Sequence, residues 1–274
     1  MSKLKTEEPD YGNWMPKRQV YLSGSVGLLS SLLSLVLLIF YLQDRIGLFS
    51  IALLLAFLAF AGVAVIFIVG FVCFTYVHLK LSPQRGNIQA RIEGLVLDRL
   101  DWNGKGEALD IGCGNAPLSI AIAKKFPKAR VTGIDYWGSH WEYSKTVCER
   151  NARIEGVVSR VKFRRASASA LPFADGSFDC AVSNLVFHEV KDTKDKRDVI
   201  KEAFRVLKKG GNFAFQDLFL RKSVYGEIDD LLEKVRTWGI KNVEFLDTGK
   251  SKFIKGPMRL SFMLGALGIL YGKK

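Results

Sequence analysis

The chain has 274 residues, 40 Lys and Arg against 27 Asp and Glu, a net charge of +13, and 49% hydrophobic residues. That composition excludes a disordered chain, a collagen-like repeat and a disulfide scaffold, and the length suits one large domain or two small ones. A simple soluble globule is excluded too, because residues 21–79 carry only Asp44 and Arg45 as charges, while +12 of the net charge falls in residues 80–274.

Residues 1–20 read as a polar N-terminal segment ending in Lys17 and Arg18. Residues 21–42 then run for 22 positions without a charge. As a helix they cover about 33 Å, enough for a bilayer core of roughly 30 Å. Gln43, Asp44 and Arg45 interrupt, and a further 32 uncharged residues follow over 46–77. The reading is a transmembrane hairpin over 21–79, with spans at about 21–42 and 48–73. Small residues at helical spacing, Ser23, Gly27 and Ser31 on the first span and Ala52, Ala56 and Ala59 on the second, are expected to let the two backbones approach. Trp14, Tyr21 and Tyr76 stand where interfacial aromatics belong. Lys17, Arg18, Lys80 and Arg85 flank the outer ends against Arg45 alone at the tip. The positive-inside bias therefore expects a two-span protein of the cell membrane, with both termini and the second domain in the cytoplasm.

Residues 82–86, SPQRG, are a turn-rich linker, and 87–100 carry a helical apolar stripe. Strand and helix signals then alternate: strand 107–111, helix 118–126, strand 130–135, helix 141–155, strand 161–165, strand 178–184. They continue with helix 194–207, closed by a basic turn and Gly210-Gly211, strand 212–220, helix 224–239 and strand 241–248. The chain closes on an apolar stretch, 260–271, whose last half reads as a final strand. This alternation predicts an α/β domain over 80–274 with a doubly wound, mainly parallel, seven-stranded sheet. Cys73, Cys113, Cys148 and Cys180 show no C-x-x-C spacing, and three histidines leave few partners for a metal. Buried reduced thiols and no metal site are expected.

The most informative stretch is 108–117, ALDIGCGNAP, after the first strand and before its helix. Gly112 and Gly114 permit a tight turn and close approach of a ligand to the backbone. A dinucleotide fingerprint would want glycine at 117, where Pro117 stands, and no Gly-Lys-Ser/Thr follows for a phosphate loop. The stretch resembles the first motif of class I S-adenosylmethionine-dependent methyltransferases, with Asp110, Gly112 and Gly114 in place and Ala116 at the third glycine. Four further motifs continue the resemblance: GIDY at 133–136, SASALPF at 167–173, DGSFD at 175–179 leading to Ser183-Asn184, and EAFRVLKKGG at 202–211.

The resemblance implies a Rossmann-like fold and S-adenosylmethionine as cofactor, held by Asp110, Gly112, Gly114, Asp135, Tyr136, Ser167, Ala168 and Asn184. Asp135 would accept hydrogen bonds from the ribose diol, as a carboxylate facing two donors can. Tyr136 or Trp137 would lie against the adenine, the alternative being core packing. Ser167 stands where the family carries an acid, so the adenine amino group would meet a hydroxyl or the backbone. His188, four residues past Asn184 and beside Glu189, is the candidate general base, the alternative being a packed histidine. All these residues lie beyond 109, so a chain cut at 79 is expected to keep its cofactor site.

The amino-group methyltransferase signature is missing, with Ser183-Asn-Leu-Val186 in its place, and no nucleic-acid module is present. A basic, membrane-tethered domain is explained more simply by an anionic leaflet, with Lys208, Lys209, Lys250, Lys252 and Lys255 as contacts, than by nucleic acid. The expected partners are the bilayer and an apolar or amphipathic, membrane-resident small molecule of the lipid, quinone or sterol-like class. Protein methylation and a non-catalytic, anchored cofactor-binding scaffold are the alternatives.

Overall fold

The computed structural model describes residues 7–43, 49–138, 143–261 and 263–274. The chain forms two compact units, Asn13–Gln89 and, discontinuously, the residues up to Gly12 with Ala90–Lys274. The described residues 7–12 thus join the larger unit, although they precede the hairpin in sequence.

The smaller unit is a pair of helices, α1 (Lys17–Gln43) and α2 (Phe49–Leu81). The first begins four residues before the expected span. The second continues past 73 to Leu81, about 50 Å at the usual helical rise. Ser82–Asn87 stops it, with Gly86 and Asn87 both donating to the Ser82 carbonyl. On α1 the buried stripe is Val20, Ser23, Gly27, Ser30 and Ser34. A Cβ on Gly27 would lie 3.2 Å from the Ile68 amide nitrogen, so the backbones do approach there. The expected alanine stripe on α2 is not the contact: Ala52 and Ala59 are exposed, and Ala64 is buried instead. Bulky α2 residues fill the groove that the small α1 residues leave; a Cβ on Gly24 would meet the Phe71 ring at 2.9 Å. At the open end, His78 Nδ1 lies 2.8 Å from the Met15 carbonyl, and Asn13 donates to the His78 carbonyl. Asp44 and Arg45, the expected tip, lie outside the described residues. The outward faces are apolar: Leu29 is 68% exposed, Phe49 78% and Ile66 69%, unlike core helices of a soluble domain.

The larger unit runs α3 (Ile88–Asp98, which starts in the smaller unit), β1 (Gly106–Ile111), α4 (Pro117–Lys125), β2 (Ala129–Asp135), α5 (Lys145–Ile154), β3 (Val161–Arg165) and β4 (Phe178–Asn184). It continues with α6 (Lys196–Arg205), β5 (Leu207–Asp217), α7 (Lys222–Tyr225), α8 (Ile228–Thr237), β6 (Asn242–Asp247) and β7 (Gly268–Lys273). The sheet has seven strands in the order β3-β2-β1-β4-β5-β7-β6. The first five are parallel, and β7 is inserted antiparallel between β5 and β6.

Three boundaries move for local reasons. The expected helix over 224–239 is broken at Gly226, whose φ of +78° no continuing helix accepts, into α7 and α8. Helix α6 stops at Arg205 and the strand starts at Leu207, so the basic turn lies inside β5. Of the apolar stretch 260–271 only the end is strand; Gly256–Arg259 is a 3₁₀ turn, and residues 261 and 263–266 are turns.

The two sheet faces bury separate clusters. Leu109, Ile111, Phe213 and Phe215 pack under Val199, Phe204 and Leu231, with Phe204 edge-on to Phe213 at 4.8 Å. Ala108, Val131, Val182 and Ala214 pack under Val96, Leu118, Ile122, Cys148 and Ala152. A parallel sheet covered on both faces leaves its strand ends as the accessible edge for a ligand.

Candidate active site

The carboxyl ends of β1, β2, β4 and β5 gather the residues expected from the motifs. After β1 the chain turns through Gly112 and Gly114, at φ +72° and +56°, into α4, which Pro117 starts. A Cβ on Gly112 would lie 2.1 Å from Val186 Cγ2, so only glycine fits. The Gly112 and Cys113 amides both donate to the Ile134 carbonyl at 2.8 Å. Ala116 takes the left-handed conformation, φ +70°, that the third glycine would have eased.

Asp135 ends β2. Its Oδ2 accepts the Gly114 N–H at 2.9 Å and its Oδ1 the Trp137 N–H at 2.7 Å. Burial raises its pKa, and the backbone donors partly offset that. Tyr136 is 63% exposed, with the Arg165 guanidinium over its ring at 5.0 Å. Trp137 packs in the core instead, its Nε1 donating to the Gly114 carbonyl at 3.0 Å. Asp110 lies beneath the turn, not along it. It is fully buried, accepts from Ser119 Oγ at 2.6 Å, and burial pushes its pKa up to about 7.

Beyond β3, Ala166 donates to the Asp135 carbonyl at 3.0 Å, which brings the following residues alongside. Ser167 and Ser169 both donate to Asp192 Oδ2, at 2.9 and 2.7 Å. A carboxylate from another loop thus lies beside the position where the resemblance expects an acid, and the Ser169 bond holds its pKa down. Ala168 is buried in the first cluster. Asn184 ends β4, and its Oδ1 is buried with no hydrogen-bond partner among the described residues; Gln216 Oε1, on the paired residue of β5, is in the same condition. Buried polar atoms are almost always paired, so two adjacent orphans at this edge have acceptor capacity to spare.

His188 lies in the 3₁₀ turn Phe187–Glu189. Its Nδ1 is 2.6 Å from Asp217 Oδ1, and its Nε2 is 3.3 Å from Glu189 Oε1. Asp217 is wholly buried and also accepts the Phe187 amide at 2.8 Å. Burial alone would lower the imidazole pKa, but Asp217, aided by Glu189, pushes it up to about 10. Asp192, Gln216 and Asp217 escaped the sequence reading. Only their position at or beyond the carboxyl end of a strand could have flagged them.

The lysines expected on an anionic leaflet are partly engaged. Lys208 pairs with Asp179 at 2.7 Å and Lys250 with Asp247 at 2.9 Å. Lys208 and Lys209 line a cavity of about 490 Å³ with Lys105 and Lys273, at the opposite sheet edge from this site.

Residues 109–215 match the family described as Methyltransferase domain. This match, together with the motif series and the strand order, supports the class I S-adenosylmethionine-dependent methyltransferase superfamily for this domain. It is 31% identical over 148 residues to methyltransferase GfsG of Streptomyces halstedii, covering 53% of this chain and 48% of that protein. It is 29% identical over 114 residues to the ubiquinone/menaquinone biosynthesis C-methyltransferase UbiE of Geotalea daltonii, covering 41% and 46%. The chain thus spans about half the length of these curated relatives. The same fold occurs in geranyl diphosphate C-methyltransferase from Streptomyces coelicolor, solved with Mg²⁺, geranyl diphosphate and S-adenosyl-L-homocysteine. The TM-score is 0.51 at 15% identity, over 68% of this chain and 79% of that one.

Asp110 supports a pH test. A carboxyl whose folded pKa, about 7, exceeds its ordinary 3.8 favours the fold below the ordinary value. That contribution is lost as pH rises through about 7, because the native state alone retains the proton in between. Thermal unfolding across this range should show stability falling with pH by at most about 1.4 kcal/mol per pH unit from this group. Asp110→Asn should flatten that fall, and an unchanged slope would show that Asp110 ionises as freely in the native state as in the unfolded one.

Proposed function

We propose that the protein is a membrane-anchored S-adenosylmethionine-dependent methyltransferase acting on an apolar or amphipathic small molecule of the lipid, quinone or sterol-like class. The observation that carries the reading is the convergence at one sheet edge of a glycine turn, the Asp135 carboxylate, the orphaned Asn184 oxygen and the His188–Asp217 pair. The residues present fit the cofactor. Asp135 has acceptor capacity left for the ribose hydroxyls. The Tyr136 face away from Arg165 is open to the adenine. Ser167 and Ser169 hold Asp192 through one oxygen, with no side-chain donor on its Oδ1 among the described residues, ready for the adenine amino group. Asn184 offers its unpartnered oxygen to the amino-acid end, beside the Gly112–Gly114 turn.

S-adenosylmethionine supplies a methyl group on a sulfonium, already joined to a good leaving group. The protein mainly has to align the nucleophile and, for a hydroxyl or an acidic carbon, remove its proton. Asp217 fixes the Nδ1 proton of His188, and Nε2, which donates to Glu189 while the ring is charged, becomes the accepting atom only once it has lost its proton. With a pKa near 10 the imidazole is mostly protonated at neutral pH, so the active form grows as pH rises.

The substrate class rests on the outward-facing leucines, isoleucines and phenylalanines of α1 and α2, together with the relative named for ubiquinone and menaquinone biosynthesis. Purified protein incubated with labelled methyl donor and separate total lipid, protein and RNA fractions should label the lipid fraction. There the rate should climb with pH until about 10, and His188→Ala should lower it about 10²–10⁴-fold. Label in RNA or protein alone would overturn the substrate class. A flat pH profile with an active alanine variant would return His188 to packing. Donor binding with no label in any fraction would favour the scaffold.

Two spans place both chain ends on one side, and the basic flanks favour the cytoplasm. Reporters fused at either end should read cytoplasmic, while a tag at residues 44–45 should be reached from outside. The opposite pattern reverses the topology.

A further inference from the structure

We infer that the segment Asp10–Gly12, upstream of the hairpin, is a positioning element of the cofactor site; the inference rests on the cofactor reading above. Asn151, on α5 and wholly buried, is the joint. Its Oδ1 accepts the Asp10 N–H at 2.9 Å, and its Nδ2 donates both to the Asp10 carbonyl at 2.8 Å and to the Asn115 carbonyl at 3.0 Å. One amide therefore binds the backbone of the segment on one side and the glycine turn on the other, across 141 residues of sequence.

Three further contacts run the same way. The Tyr11 hydroxyl donates to Glu155 Oε1 at 3.0 Å, and its ring packs on the second core cluster. Gly12 sits at φ +72°, held by its own N–H on Asp10 Oδ1 at 3.0 Å. A Cβ there would come within 2.8 Å of the Tyr143 ring. The other side of that ring lies 3.5 Å from where a Gly114 Cβ would be, so Tyr143 is wedged between the segment and the turn. Asn115 also accepts the Ser144 amide, at 3.2 Å, which ties the turn to the N-terminus of α5.

Removing the segment strips the buried Asn151 amide of two of its three partners and uncovers the wedge behind Gly114. What remains of the amide's bonding is its contact with the Asn115 carbonyl in the turn, so the cost of its unmet donor and acceptor falls on that contact. Asp10 and Tyr11 thus act on the cofactor through Asn151, Tyr143 and the turn, without touching it. Four residues, 13–16, separate the segment from α1, so a cut at 79 removes both the hairpin and this support. The sequence reading expects such a fragment to keep its cofactor site; on this inference it binds more weakly, for want of the segment and not of the membrane.

The test uses the full chain in detergent, with S-adenosylhomocysteine as the probe. Asp10→Pro removes the N–H that meets Asn151, and a Gly-Ser replacement of residues 8–12 removes every contact. Each should weaken binding in calorimetry about 5–50-fold with the hairpin intact. Asp10→Asn, which preserves the backbone bonds and an oxygen for the Gly12 amide, should restore most of what Asp10→Pro loses. In the wild type, by linkage, the probe should slow amide hydrogen exchange at Asp10; a purely structural staple would not respond. Unchanged affinity in folded Asp10→Pro, or exchange at Asp10 indifferent to the probe, overturns the inference. If a variant fails to fold, the exchange measurement alone decides. A wild type that does not bind the probe overturns the cofactor reading itself.

Discussion

Asp135 occupies one point at the end of β2 from which the geometry of the site is set. Its two oxygens take the amide protons of Gly114 and Trp137, so one carboxylate fixes the turn after β1 and the exit of β2 together. That turn needs glycine at 112, because φ is positive there and Val186 closes the space a side chain would need. Burial raises the pKa of the carboxylate, and further donors favour its charged form. A ribose diol is such a pair of donors. On the proposed reading, the charge chemistry and the backbone geometry serve the same ligand at the same place.

The chain supports this edge from both ends. Five parallel strands bring Asp110, Asp135, Asn184 and Asp217 to one side of the sheet. From the far N-terminus, residues 10–12 reach Asn151 and the glycine turn. The apolar hairpin is inserted between these two pieces of one unit. The apolar helix pair and the candidate cofactor site are therefore continuous in covalent structure, whatever the substrate.

Legibility from sequence followed the range of the interactions. The strands β1 and β4 read as short apolar runs followed by or ending in glycine or a polar residue, because a parallel strand buried on both faces has that local signature, whereas the edge strand β3 alternates. The glycine turn and Asp135 were legible for the same reason. The place of β7 was not, since its pairing with β5 and β6 is decided by which strand edge remains open. Gly226 splits a helix whose apolar spacing runs on across it. The segment 7–12 reads as a polar tail; its docking depends on a buried asparagine 141 residues away. Asp192 was hidden likewise: Ser167 stands where the resemblance expects an acid, and only the fold shows which carboxylate comes beside it.

The measurement that bears most directly on the account is calorimetric titration of S-adenosylmethionine into the full chain in detergent, for the wild type, Asp135→Ala and Asp135→Asn. The account predicts binding by the wild type and a loss of about 1–3 kcal/mol in Asp135→Ala, the scale of a hydrogen bond to a charged group. Asp135→Asn, which retains an acceptor for the turn, should fall between. No binding by the wild type, or equal binding by all three, would contradict it.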